Sequence, residues 1–157
     1  MSKTDFSHPS EKAERILAAD ILMVNGLVVT MDEQYRIFED GALAIDGGKI
    51  VAVGETEEVK TRCTGRRVVD ARRKLIMPGL INAHTHAPMN IFRGFADDLT
   101  LNEWLYDYIF PLESAFVNPQ NVELGTRLAI AEMIRSGTTT FNDMYYYSDV
   151  MAKVVDD

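Results

Sequence analysis

The chain has 157 residues, and its acidic side chains outnumber the basic ones by 24 to 16, for a formal net charge of −8 with the histidines neutral. An acidic surface repels phosphate, which disfavours a general nucleic-acid binder. A hydrophobic share of 46% with 25% charged residues argues against wholesale disorder, and the length suits one domain of moderate size. No run approaches the roughly 18 apolar residues needed to cross a bilayer, so no membrane partner is expected. Met1 to His8 lack the apolar core of a secretory signal. Cys63 is the only cysteine. It cannot form an internal disulfide, which fits a reducing cytoplasm, and it excludes a multi-cysteine zinc site within the chain.

In chain order, residues 1–18 are polar and of mixed charge and read as a loose leader, with one or two marginal helical turns between Glu11 and Leu17. His8 lies there and needs no role. From Asp20 the texture becomes β-rich. Asn25-Gly26 between Ile21-Leu22-Met23-Val24 and Leu27-Val28-Val29-Thr30-Met31 predicts a hairpin, because both turn residues tolerate positive φ. Asp46-Gly47-Gly48-Lys49 predicts a second, between Ala42 to Ile45 and Ile50 to Val53. Val68 to Ala71 and Leu75 to Met77 read as further short strands, and Pro78-Gly79 punctuates the chain.

Leu80-Ile81-Asn82-Ala83 then reads as a buried strand running into His84-Thr85-His86. A helix is expected from Leu101, with Thr100 and Glu103 at capping-box spacing. Its apolar face is Leu101, Trp104, Leu105, Tyr108, Ile109 and Leu112, and Pro111 should end it or disturb its last turn. Asn118 and Pro119 have the pattern of an N-cap and first helical residue. Val122, Gly125, Leu128, Ala129 and Met133 continue along one side, and Gly137 reads as the C-cap. Thr138 to Asn142 is β-branched and aromatic, hence a strand. The order from residue 80 is β-α-α-β, which points to a parallel α/β unit. Ser148 onward looks like the start of another helix.

The chemistry centres on His84-Thr85-His86. Side chains two apart on a strand share a face, so the two imidazoles can converge on one cation, and neutral imidazole suits zinc or iron. A bare His-x-His reads equally as two polar residues at a strand end. Here the pair sits where a buried strand opens into a βα loop, the end at which barrel active sites are built.

Ile76-Met77-Pro78-Gly79-Leu80-Ile81-Asn82-Ala83-His84-Thr85-His86 resembles the signature of the metal-dependent amidohydrolase superfamily. The upstream hairpins resemble the small β-sandwich that precedes the barrel in its deaminase and chlorohydrolase branch. Phe92-Arg93-Gly94-Phe95, Trp104-Leu105, Pro111-Leu112-Glu113 and Ser136-Gly137-Thr138-Thr139-Thr140-Phe141-Asn142-Asp143-Met144-Tyr145 are similar to the 5-methylthioadenosine/S-adenosylhomocysteine deaminases. The resemblance implies an α/β architecture: a leader over 1–18, the N-terminal part of a β-sandwich over 19–77, and the first two βα units of an incomplete (β/α)8 barrel over 78–157. It implies His84 and His86 as metal ligands for one divalent ion, zinc or alternatively iron, and Glu113 as the carboxylate that contacts a nucleoside sugar. A charged acceptor shared by two vicinal hydroxyls makes strong bonds. The bland alternative for Glu113 is a solvated helix-end carboxylate. The implied reaction is hydrolytic deamination of an adenine-type nucleoside by metal-bound hydroxide, with the nucleoside as a small-molecule partner and a homo-oligomer compatible.

Other polar residues read more plainly. Trp104 is core, or at best a wall of the site. Arg93, Asp97 and Asp98 belong to a solvated loop or a lid. Asn142 and Asp143 lie near a strand end without an assigned role. Tyr145, Tyr146 and Tyr147 read as packing, and Cys63 as a structural thiol.

A complete barrel needs about 250 residues, whereas about 80 follow Pro78. A catalytic zinc usually takes three protein ligands, and no histidine follows His86. No catalytic acid or base is identifiable. The expectation is therefore the N-terminal part of a longer enzyme, inactive alone. Rival readings are a triazine chlorohydrolase, a guanine deaminase-like enzyme, or a non-catalytic metal-binding fragment or subunit. The cysteine-rich deaminase motif with Pro-Cys-x-x-Cys is absent, so that zinc fold is not a competitor.

Overall fold

The computed structural model describes residues 16–157, so the expected leader and His8 lie almost wholly outside the described residues. The chain is a mixed α/β structure that separates into two compact units, up to Pro78 and from Gly79 onward.

The first unit is a five-stranded sheet. Strand β1 (Leu17–Val29) is central, with β2 (Ile37–Asp46) antiparallel on one side and β3 (Lys49–Glu55) antiparallel beyond it. Parallel to the other side of β1 run β4 (Cys63–Asp70) and then β5 (Leu75–Ile76). The short helix α1 (Thr56–Arg62) joins β3 to β4. Ala19, Leu22, Val24, Ala42, Ala44, Val59 and Cys63 form the buried cluster. The buried Cys63 is thus a core thiol.

Three expectations change here. Leu17 and Ala18 belong to β1 rather than to a leader, because they pair with Cys63 and Thr64. Helix α1 has no counterpart among the expected elements. Asn25-Gly26 does not turn a hairpin; β1 runs straight through it with a register shift. A type I′ turn needs positive φ at both central residues, and only Asn25 adopts it, at 62°. Gly26 serves close packing instead: a Cβ there would lie 2.7 Å from Ile76 Cδ1 and 3.0 Å from Ala71 Cβ. The irregularity faces the turn between β4 and β5, where Ala71 N–H donates to Val24 O and Leu27 N–H to Lys74 O. Asp70 fixes this corner by accepting from Arg72 and Asn25. The Arg72 guanidinium, then the Asn25 amide, hold its carboxyl down to about 2. The second expected hairpin is present: Gly47 and Gly48 both take positive φ, at 55° and 74°.

The second unit is built on two parallel strands, β6 (Leu80–Thr85) and β7 (Thr138–Asp143). Between them come a 3₁₀ helix (Ala87–Phe92), a helical stretch in π form (Glu103–Ile109) continuing as α2 (Phe110–Phe116), and α3 (Pro119–Ser136); α4 (Ser148–Asp156) follows β7. The Thr100–Glu103 box forms: Glu103 Oε2 accepts from the Thr100 N–H and hydroxyl. Pro111 does not end the helix. Without an N–H it cannot close an ordinary turn, and the preceding residues widen into π geometry before α2 continues. Of the expected apolar face, Ile109 is buried while Leu101 and Tyr108 are exposed.

Helix α3 is capped as read: the Asn118 side chain accepts from Asn121 N–H, and Gly137 closes the end at φ 83°. Its buried side is Val122, Gly125, Thr126 and Ala129, and Leu128 is exposed instead. Gly125 lets α3 reach the 3₁₀ segment, since a Cβ would sit 2.5 Å from the Pro88 carbonyl oxygen. No helix among the described residues is long and apolar enough to cross a membrane.

Parallel strands are normally covered on both faces. Here Ile81 is 71% exposed, and Leu124 and Ile134 on α3 are 58% and 70% exposed. The 157-residue chain alone is therefore expected to self-associate and to lack a cooperative melt. Light scattering with calorimetry checks this; a monomer with one sharp transition would contradict it.

Candidate metal centre

Strand β6 delivers His84 within its last turn of pleat and His86 just beyond its end, where the 3₁₀ helix begins. The alternation of a strand places both rings on one side. Their Nε2 atoms lie 3.3 Å apart, with ring centroids 5.1 Å apart and planes at 85°. Two nitrogens bound tetrahedrally at ~2.0–2.1 Å from one zinc would be separated by about 3.3–3.4 Å. The pair therefore fits two corners of such a site.

The bond at the far side of His86 matters equally. Its Nδ1 lies 2.6 Å from the Met144 carbonyl oxygen. A carbonyl only accepts, so Nδ1 carries a proton and donates, which in the neutral ring leaves the Nε2 lone pair for a cation. This is the usual arrangement behind a metal-binding imidazole. Met144 is positioned by the β6–β7 ladder, its N–H donating to Thr85 O. Asn142 also ties the strands together, its Nδ2 donating to Ala83 O, while Asp143 ties β7 to the 3₁₀ helix, its Oδ2 accepting from Ala87 N–H at 2.7 Å. Asp143 thus caps the 3₁₀ helix that follows His86. Among the described residues no cluster of three or more His, Cys, Asp or Glu could hold a metal. The histidine pair fits an ion as half of a ligand set, not as a closed site.

A cavity of about 390 Å³ opens beside His86, lined also by Trp104, Glu113, Met144 and Tyr145. Its size is in the range that takes a small molecule. Glu113 sits in the first turn of α2, half-buried, and its Oε1 accepts a 2.8 Å bond from the Tyr145 hydroxyl. Burial first, and the Glu113 carboxylate second, push the Tyr145 phenol above its ordinary value, so it stays a donor. Tyr145 thereby does more than the packing its sequence suggested. Its position after β7 was visible in the sequence, but its partner was not. Trp104 is half-buried on the cavity wall. Arg93 points elsewhere, clamping both Glu132 oxygens at 2.9 and 2.7 Å and so pinning its loop to α3. Asp97 and Asp98 are exposed in that loop.

The chain is similar to several known proteins. The chain is 52% identical over 134 residues to a 5-methylthioadenosine/S-adenosylhomocysteine deaminase from Syntrophus aciditrophicus, covering 85% of this chain and 30% of the relative. It is 47% identical over 139 residues to a 5'-deoxyadenosine deaminase from Methanococcoides burtonii, covering 88% and 31%. Among solved structures, an adenosine deaminase from Xanthomonas campestris with bound zinc superposes with a TM-score of 0.86 at 44% identity, over 90% of this chain and 32% of that one. The zinc complex of an atrazine chlorohydrolase from Arthrobacter aurescens gives 0.74 at 28% identity, over 87% and 33%. The chain thus spans about 30% of the length of the curated relatives it matches. Residues 41–62 match an imidazolonepropionase-like composite domain. Residues 75–157, which contain both histidines, Glu113 and Tyr145, match the amidohydrolase family itself, and the chain belongs to that family.

Proposed function

We propose that this chain is the N-terminal part of a zinc-dependent amidohydrolase that hydrolytically deaminates an adenine-type nucleoside such as 5-methylthioadenosine or S-adenosylhomocysteine. The observation that carries the reading is the 3.3 Å pair of Nε2 atoms beside a small-molecule cavity that also contains Glu113. In this reading residues 19–77 contribute to a β-sandwich and 78–157 begin a (β/α)8 barrel. The two parallel strands joined through helices support the barrel start, and the remaining units would come from further chain.

His84 and His86 would hold the ion through Nε2, with His86 oriented by the Met144 carbonyl. A divalent cation supplies a water whose pKa is lowered to ~7, hence a nucleophile at neutral pH. Zinc is preferred over iron because the related deaminase and chlorohydrolase structures contain it. Glu113 would accept from the two vicinal sugar hydroxyls, fixing the base relative to the histidines. Trp104 would wall the cavity and exclude water from it. Proton transfer to the ring nitrogen needs a group beyond these residues. The lone buried thiol of Cys63 suits a reducing compartment such as the cytoplasm.

The test is turnover by the complete polypeptide carrying these residues. Loaded with zinc, it is expected to release ammonia from 5-methylthioadenosine, S-adenosylhomocysteine and 5'-deoxyadenosine, and not to act on atrazine or guanine. Ammonia or chloride release from the last two alone would favour the chlorohydrolase or guanine deaminase reading. Bound zinc without any turnover would favour a non-catalytic metal-binding role.

A further inference from the structure

We propose that Tyr145 is a positioning residue: its hydroxyl holds the Glu113 carboxylate in the orientation that receives the ribose hydroxyls. This rests on the nucleoside reading above. Among the described residues the phenol is the only hydrogen-bond donor to that carboxylate, at 2.8 Å. The two side chains come from elements 32 residues apart, α2 and the segment after β7, so the contact is tertiary.

A carboxylate has two oxygens and about four acceptor sites. Tyr145 takes one on Oε1 and leaves enough for two sugar hydroxyls. Without it, Glu113 would have to be ordered at the moment of binding, and that entropy would be lost from affinity. The ring of Tyr145 is itself held, edge-on to Tyr146 with centroids 5.1 Å apart and tilted against His86 at 6.0 Å. Removing only the hydroxyl therefore leaves a packed ring. The hydrogen bond to His86 comes from the Met144 backbone carbonyl and the ring contact from the aromatic carbons, so removing only the hydroxyl at 145 should leave His86 undisturbed.

The test uses the zinc-loaded complete polypeptide and the variant Tyr145→Phe. For 5'-deoxyadenosine, KM is expected to rise about tenfold, the scale of one hydrogen bond to a charged group. The kcat should stay within about twofold, and zinc stoichiometry should be unchanged. Turnover of 2',3'-dideoxyadenosine, which lacks both hydroxyls, should be unaffected. In a Glu113→Ala background, Tyr145→Phe should cost nothing further. Equal losses on both nucleosides, an undiminished cost in the Glu113→Ala background, lost zinc or a collapsed melting transition would each overturn the proposal. Failure of the underlying reading looks different: Glu113→Ala itself would then not distinguish the two nucleosides.

Discussion

Replacing either His84 or His86 with Ala in the complete polypeptide is expected to abolish stoichiometric zinc binding and to lower kcat/KM by at least about a thousandfold. The reasoning is geometric. The two Nε2 atoms, 3.3 Å apart, would form one edge of a ligand polyhedron, and the described residues hold no cluster of three or more His, Cys, Asp or Glu that could take the ion instead. Metal analysis by mass spectrometry beside a steady-state assay checks it. Full zinc content in either single variant would show that the pair is not a ligand pair, and the hydrolase reading would lose its centre.

The second large effect is expected from Glu113→Gln. The substitution keeps the shape of the side chain and its ability to accept from Tyr145, but it removes the charge. A bond to a charged acceptor is roughly twice as strong as a neutral one, and two hydroxyls are involved. For a ribonucleoside, kcat/KM should fall on the order of 30- to 100-fold. For free adenine, which has no hydroxyls to present, the loss should be within about twofold. Rates on the two substrates, measured side by side, decide the matter. Equal losses would remove the reason for preferring a nucleoside, and a flat heteroaromatic substrate without a sugar would become the better reading.

The parts of the structure that could be read from the sequence are those in which one residue type does one local job. Gly47-Gly48 forms its hairpin because both residues take positive φ. Asn118, Pro119 and Gly137 bound α3 because each satisfies a terminal requirement on its own. His84 and His86 share a side because strand alternation dictates it. Readings failed where the outcome depends on residues distant in sequence. Asn25-Gly26 has the local chemistry of a turn, yet pairing of β1 with β4 and β5 on one edge and β2 on the other keeps the chain extended through it. Leu128 fits a helical stripe by spacing, but Thr126 takes the buried position beside the expected Gly125, because α3 packs on the 3₁₀ segment there. The roles of Met144 and Tyr145 were hidden for the same reason. One acts through a backbone carbonyl, which no side-chain motif encodes. The other acts on a carboxylate 32 residues earlier.

The approach of α3 to Pro88 has a mechanical consequence. At Gly125 the helix meets that residue main chain against main chain, with no flexible side chain between them to absorb displacement. Proline's ring locks its own φ, which removes one of the two backbone rotations that could absorb a push from α3 before it reaches Ala87 and the imidazole-bearing residue before it. Packing changes on the outer helix would thus be felt at the ligand end of β6 as a lever is felt at its fulcrum.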